Sequence, residues 1–571
     1  MNSTQRKRLV LYFFMAMFGI CVIIGKLFIL MIFDSDRYYD RIRNLHERER
    51  QIKGKRGEIV DRNGQVIATN KTVCTISVIY SQLKEPEKVI EVLKNELDMD
   101  FDEVRKRVLK VSSREKIKSN VPKEIGDKIR SYNLAGVKVD EDYRRYYPYN
   151  QLGSKILGFT GADNQGIVGL EVTYDKYLQG KAGNIYTKTD AYGKEIDGEA
   201  ELRKEGTSGK TLQTSLDINI MKYSEQAANK ALEEKQANYV CVIVMNPNNG
   251  EIYAMVNVPE YNLNEPFTLN YASEVGKQDK EYQNLLNKMW RNNCINDTYE
   301  PGSTFKMVTA TAALEEHLIT KDTPFQCPGY KIVEDRRIRC HKTTGHGAET
   351  FVTATQNSCN PAFMEIGLKV GVTKFYHYMG QLGLMTKTGV DLPGEAGTII
   401  HKIENVGQVE LATMSFGQSF QITPLQLLTA ASAIVNGGTL VTPHFGVGTQ
   451  DENGEVEELF QYKTIPAVIS SETSATMRDV LESVVRDGGG KLGQVEGFRV
   501  GGKTATSQKL PRSAHKYIGS FIGFAPADHP EVIAMCIIDE PQGVYYGGTI
   551  AAPVIADIFS NILPYLNIKK D

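Results

Sequence analysis

The feature that most constrains this chain is an apolar run close to its first residue. Residues 9–33 hold a single charge, Lys26, and Arg6, Lys7 and Arg8 stand immediately before them. A run of that length spans a bilayer as a helix, and a lysine near its end can reach the interface with its ammonium. The run has no polar face, which argues against a buried globular helix. Its length, and the lack of a small-residue cleavage site after it, argue against a removed signal peptide. The basic flank places residues 1–8 on the cytoplasmic side and everything after residue 33 outside. The expected architecture is therefore a single anchor carrying a large extracytoplasmic body.

That body is long enough for more than one core. The chain has 571 residues and a formal net charge of -2 with both signs interspersed, which argues against a nucleic-acid binder. Residues 34–55 are charged and read as a helical stalk. Residues 56–68 alternate around Asn63-Gly64, a hairpin signal. Between 85 and 133, Lys, Glu and Leu recur at helical spacing. A polar, glycine-containing stretch at 193–209 marks a domain boundary. Beyond it come a strand at 211–216, an amphipathic helix at 218–235 and two strands around the turn at 246–250. After a long, mostly helical insertion, strands resume from about Arg499. This order predicts an α+β fold in which one sheet is covered by helices.

Three short stretches carry chemistry. Ser303 and Lys306, in "EPGSTFK", lie three residues apart at the start of an apolar helix, which puts both side chains on one face. Buried there, the lysine loses hydration, its pKa falls, and it can take the serine proton. The spacing alone proves little, since Ser81–Lys84, Ser113–Lys116 and Ser513–Lys516 repeat it. Company gives it weight. Ser358 and Asn360, in "TQNSCNPAF", offer a hydroxyl and an amide in a turn. Lys503, Thr504 and Thr506, in "VGGKTATSQ", follow an apolar strand and two glycines. An acyl transferase needs a nucleophile, a proton relay and donors for the oxyanion, and the three stretches supply them in that order.

With these motifs the chain resembles a class B penicillin-binding protein, a monofunctional peptidoglycan transpeptidase of the Gram-positive FtsI/SpoVD-like type. "RGEIVDRNGQVIA", "RRYYPYNQLGSKILGF" and "GLEVTYDKYLQG" resemble its pedestal, and "MNPNNGEIYAM", "YEPGSTFK", "NSCNPAF", "TPLQ" and "SFIGFAPAD" its transpeptidase domain. The resemblance implies an elongated β-rich pedestal or dimerisation domain over 34–205. It implies a serine β-lactamase-like transpeptidase domain, an antiparallel sheet covered by helices, over 206–571. Ser303 is then the acylated nucleophile, Lys306 its base, and Ser358, Asn360, Lys503, Thr504 and Thr506 the rest of the site, with the Ser303 and Thr506 backbone N–H groups as oxyanion hole. Ser303, Asn360, Thr504 and Thr506 would contact substrate or β-lactam. Implied partners are peptidoglycan stem peptides, a SEDS-family glycosyltransferase, and other division or sporulation membrane proteins. The rival readings are a D,D-carboxypeptidase or β-lactamase-like hydrolase and a weakly catalytic muropeptide-binding scaffold. One departure stands out: Ala505 occupies the usual glycine position of Lys-Thr-Gly, where a methyl is expected to crowd the substrate.

The chemistry needs no cofactor, but the cysteines raise a structural metal. Cys21 lies in the anchor, and Cys74, Cys241 and Cys536 lie in apolar strands. Cys327, Cys340, His341 and His346 fall within one 20-residue loop, which fits zinc, a Cys327–Cys340 disulfide or free thiols. Related clostridial proteins that the chain resembles hold zinc near the active site. By that resemblance the ligands are Cys327, Cys340, His346 and Asp297, with His341 as the alternative fourth.

Overall fold

The computed structural model describes residues 3–34, 47–52, 54–188, 202–204, 206–277, 279–451 and 453–570. Helix α1 (Ser3–Phe28) runs on as a π turn over Ile29–Phe33, and its large apolar side chains are exposed along its length. A helix of this length and composition can cross a membrane. Much of the expected stalk and of the 193–209 boundary lies outside the described residues. Where the stalk is described it departs from expectation. Glu47–Ile52 is a strand, β1, paired antiparallel with β6 (Gly183–Lys188), which also pairs with β7 (Leu202–Lys204). Alternating Glu and Arg suit a solvated helix as well as an edge strand, and a partner 130 or more residues away decides between them.

The chain divides into two compact units. One comprises Met1–Lys55, Asn70–Arg144 and Gly180–Ser208; the other comprises Arg56–Thr69, Arg145–Gln179 and Gly209–Asp571. In the first, β3 (Val66–Val78) pairs through its later residues with β4 (Glu115–Pro122) and with β5 (Val137–Tyr146). Helices α2 (Pro86–Leu97), α3 (Phe101–Val108) and α4 (Lys123–Ser131) close a core that includes Ile76, Val78, Ile90, Leu93, Val104 and Ile117. Asp100 caps α3 by accepting from the backbone N–H of Asp102 and Glu103.

Two segments that the sequence groups with the pedestal, Arg56–Thr69 and Arg145–Gln179, belong to the second unit. A buried ion cluster ties the two segments to each other, and strand pairing ties them to the rest of the unit. Glu171 accepts from Arg56 Nε at 2.7 Å and from Arg145 Nε at 2.6 Å, and both Arg56 and Glu171 are fully buried. Beside it β2 (Ile59–Val60) runs parallel to β8 (Thr211–Thr214). Strand β8 also pairs with β16 (Gly446–Gln450), which pairs with β17 (Val456–Leu459). The hairpin expected at Asn63-Gly64 is present, with Gly64 at φ +79° and Asp61 accepting from the N–H of Asn63 and Gln65.

The second unit is built on a five-stranded antiparallel sheet. Its order is β10 (Ile252–Val258), β9 (Tyr239–Met245), β21 (Val532–Asp539), β20 (Tyr517–Ala525), β19 (Gly501–Gln508). Strands β9, β10 and β21 read as continuous apolar runs because helices cover both of their faces. Helix α5 (Ile218–Lys235) and the C-terminal helix (Ala552–Tyr565) pack on each other and on the sheet. The C-terminal helix is apolar enough to cross a membrane but is largely buried as a core element. Between β10 and β19 lie the helices that carry the site: α6 (Lys306–Glu315), α7 (Phe351–Gln356) and α8 (Asn360–Val370). Two small hairpins precede α7, β11 (Pro324–Cys327) with β14 (Gly347–Thr350) and, inside it, β12 (Tyr330–Val333) with β13 (Arg336–Arg339).

Candidate active site

Ser303 sits on a 3-10 turn, Gly302–Phe305, that runs directly into α6. In a 3-10 turn positions i and i+3 eclipse, which stacks Lys306 behind Ser303. Two glycines set the turn. Gly302 has φ +59° and donates to the carbonyl of Gly417, itself at φ +86°. A Cβ on Gly302 would come within 2.4 Å of Ser507 Oγ, so the turn is pressed against β19.

The three motifs converge. Lys306 Nζ donates to Ser358 O at 2.7 Å, to Asn360 Oδ1 at 2.8 Å and to Ser358 Oγ at 3.2 Å. Lys503 Nζ donates to the same Ser358 Oγ at 3.1 Å and to Thr504 O at 3.1 Å. Ser358 thus stands between two lysines, held there by a left-handed backbone at φ +52°. Both lysines are fully buried. Burial lowers the Lys306 pKa to about 8 against the weaker pull of nearby thiols and Glu349, which raises it. Burial and then the Lys306 charge push Lys503 well below its usual value.

Along β19, Thr504 and Thr506 are half-buried and alternate with the buried Lys503, Ala505 and Ser507. Thr506 Oγ1 accepts from Gly547 N at 3.1 Å. The Ala505 side chain is only 3 % exposed and lies on the covered face with Lys503. Its methyl shares that face with Lys503, whose Nζ reaches Ser358, and with Ser507, whose Oγ lies against the Gly302 turn. Sequence reasoning also missed Glu300. This buried carboxylate accepts from Ser419 N at 2.9 Å and from Arg512 at 3.1 Å, tying the nucleophile's turn to the loop after β19.

The cysteine loop folds around this centre. Cys327, Cys340, His346 and Cys359 place one ligand atom each within 4.8 Å of one another. Cys340 Sγ lies 3.7 Å from His346 Nδ1 and 3.8 Å from His341 Nδ1, with His341 exposed beside the group. Hydrogen bonds from Cys359, against the cost of burial, and from His341 hold the Cys340 thiol well below its usual range. Zinc binds sulfur at about 2.3 Å and imidazole nitrogen at about 2.0–2.1 Å in a tetrahedron, and this donor set fits it. Asp297 is not part of the group: it accepts from Arg291 at 2.7 Å and from Asn293 at 2.6 Å. Cys359, the middle residue of Ser358-Cys359-Asn360, takes the fourth position instead. Cys327 and Cys340 are free thiols, not a disulfide.

A serine one turn before a buried lysine, with a second serine hydroxyl held between that lysine and another on an edge strand, is the arrangement of a serine acyltransferase centre. Residues 240–560 match the penicillin-binding protein transpeptidase domain and residues 51–214 the penicillin-binding protein dimerisation domain. The chain therefore belongs to the penicillin-binding proteins, and within them to the class B, FtsI/SpoVD type. It is similar to Stage V sporulation protein D of Bacillus subtilis, 37% identical over 100% of this chain and 87% of that protein. Against the peptidoglycan D,D-transpeptidase FtsI of Escherichia coli K12 the identity is 27%, over 92% of this chain and 86% of the other. The fold is similar to that of penicillin binding protein 2X from Streptococcus thermophilus, with a TM-score of 0.74 at 21% identity, over 90% of this chain and 80% of that one.

Proposed function

We propose that the protein is a membrane-anchored D,D-transpeptidase that crosslinks peptidoglycan stem peptides and is inhibited by β-lactams, in division or spore-wall synthesis. The observation that carries the mechanism is the shared Ser358 hydroxyl between the two buried lysines, Lys306 and Lys503. Neutral Lys306 takes the proton as Ser303 Oγ attacks the penultimate D-Ala carbonyl. The backbone N–H groups of Ser303 and Thr506 receive the oxyanion. Ser358 passes a proton from the lysine pair to the departing D-Ala amine, and Lys503, Thr504 and Thr506 hold that residue's carboxylate. Asn360, fixed by Lys306, orients the donor amide. An amine from a neighbouring strand then takes the acyl group.

Cys327, Cys340, His346 and Cys359 would hold a zinc ion in a filled shell, whose contribution is to pin the loop to the Ser358–Asn360 turn. The basic residues Arg6, Lys7 and Arg8, in the first turns of α1 ahead of its apolar run, support a cytoplasmic N-terminus and an extracytoplasmic catalytic unit. The resemblance to the FtsI/SpoVD type supports a SEDS-family glycosyltransferase as the partner that supplies glycan. The test is dimer formation from a soluble muropeptide donor and acceptor, read by mass spectrometry. Dimers that disappear with penicillin and in Ser303→Ala support the reading; dimers that persist in Ser303→Ala overturn it.

A further inference from the structure

The hairpin β12–β13 is built to face two ways. Opposed residues of an antiparallel pair share a face, so Lys331, Val333, Arg336 and Ile338 lie on one side and Tyr330, Ile332, Arg337 and Arg339 on the other. The first side is held down: Val333 and Ile338 pack with Met364, Ala412 and Phe416. The second is open. Ile332 is 63 % exposed, and Arg337 lays its guanidinium 3.7 Å from the centre of the Tyr330 ring.

Charge is sorted along the hairpin. Its two carboxylates, Glu334 and Asp335, are at the tip, where Asp335 lies 3.5 Å from Arg336. Lys331 is engaged at 3.4 Å by Glu365. Arg337, Arg339 and, just beyond, Lys342 have no carboxylate partner among the described residues, and all three are exposed. The cationic end is the one at the active site. Asn360 Nδ2 donates to the carbonyl of Arg339 at 3.4 Å, and the next residue, Cys340, belongs to the thiol group that includes Cys359. The line of contacts runs from β19 through Ser358, Lys306 and Asn360 to β13. The hairpin continues the site past Asn360, on the side away from the strand proposed to hold the donor.

We infer that the open face of β12–β13, through Arg337, Arg339 and Lys342, recognises the acceptor strand as an amine that carries carboxylates close by. The inference rests on the transpeptidase reading above and names which substrate this surface takes. A planar guanidinium receives a carboxylate with two parallel hydrogen bonds, and the Ile332 and Tyr330–Arg337 surface gives the peptide an apolar rest. So placed, the acceptor nitrogen attacks the carbonyl carbon of the Ser303 ester. The C–N bond forms, the bond from carbon to Ser303 Oγ breaks, and the amine proton returns to Ser303 Oγ. A donor alone does not need this surface. Acylation is therefore independent of it, while the partition of the acyl-enzyme between amine and water depends on it.

The experiment uses the full-length chain in detergent micelles with a soluble peptide donor ending in D-Ala-D-Ala. Two acceptors are compared, N-acetyl-γ-D-glutamyl-meso-diaminopimelic acid and its counterpart with the carboxylates amidated. The readout is the ratio of aminolysis to hydrolysis product. The wild-type protein is expected to favour the carboxylate-bearing acceptor. In Arg337→Gln/Arg339→Gln that preference falls about threefold to tenfold, the range for one or two exposed ion pairs to charged ligands. Arg339→Lys, which keeps the charge, retains most of it, and the rate of penicillin acylation stays at the wild-type value in all three proteins. No preference in the wild type, or an unchanged preference in the double variant, overturns the inference. A variant that loses preference and penicillin acylation together also overturns it, because the effect then comes from the fold. Failure of wild-type Ser303 to acylate at all would instead overturn the transpeptidase reading. Loss of binding to a phosphate-rich wall polymer with acceptor preference unchanged would assign the surface to that polymer and overturn acceptor recognition.

Discussion

If Lys306 is the base, acylation must follow its titration, and burial fixes where that falls. Its pKa is lowered to about 8 from 10.5, with burial as the leading cause. Only the neutral amine accepts the serine proton, so the competent fraction grows as pH rises. At pH 7 that fraction is about 10%, against about 0.03% for an ordinary lysine, a gain of a few hundredfold, or about 3 kcal/mol. The second-order rate constant for acylation by a penicillin should therefore rise about tenfold from pH 6 to pH 7 and level off above about pH 8.5. Stopped-flow fluorescence with a labelled penicillin, over a range where the drug does not titrate, measures it directly. A flat profile from pH 6 to 9, or a rise still continuing at pH 10, would refute the assignment of Lys306 as a base tuned by burial.

Other substitutions test the parts around it. Glu171→Ala leaves Arg56 and Arg145 buried without their shared carboxylate and should cost about 3–5 kcal/mol of stability, measured by denaturant unfolding. Cys359→Ser should lower zinc content, measured by elemental analysis of the purified protein, from one ion per chain toward zero; Asp297→Ala should leave it unchanged. Gly302→Ala places a Cβ within 2.4 Å of Ser507 Oγ at φ +59°, at a cost of about 1–3 kcal/mol from the backbone alone. Slower penicillin acylation with an unchanged zinc content is the expected result.

Much of the site can be read from sequence because its parts are local. Ser303 with Lys306, and Ser358 with Asn360, lie within one turn of chain each, and Lys503, Thr504 and Thr506 within one short strand. What spacing cannot give is how these pieces meet. Cys359 occupies the variable position of Ser-x-Asn and reads as a spacer; only the folded path of β11, β14 and the turn before α8 brings it to Cys327 and Cys340. Counting it with the other loop cysteines was the one signal available. Asp297 is close in sequence to the nucleophile, but Arg291 satisfies it locally. Likewise Glu300 meets Arg512 across 212 positions, and β1 becomes a strand through a partner far along the chain.

The central claim is that Ser303 is the acylated nucleophile, and intact mass of the full-length protein after exposure to a penicillin tests it most directly. The account predicts a single adduct of one penicillin mass, located by digestion to the peptide containing Ser303 and absent in a folded Ser303→Ala protein. An adduct on another residue, or one that survives in Ser303→Ala, would contradict it.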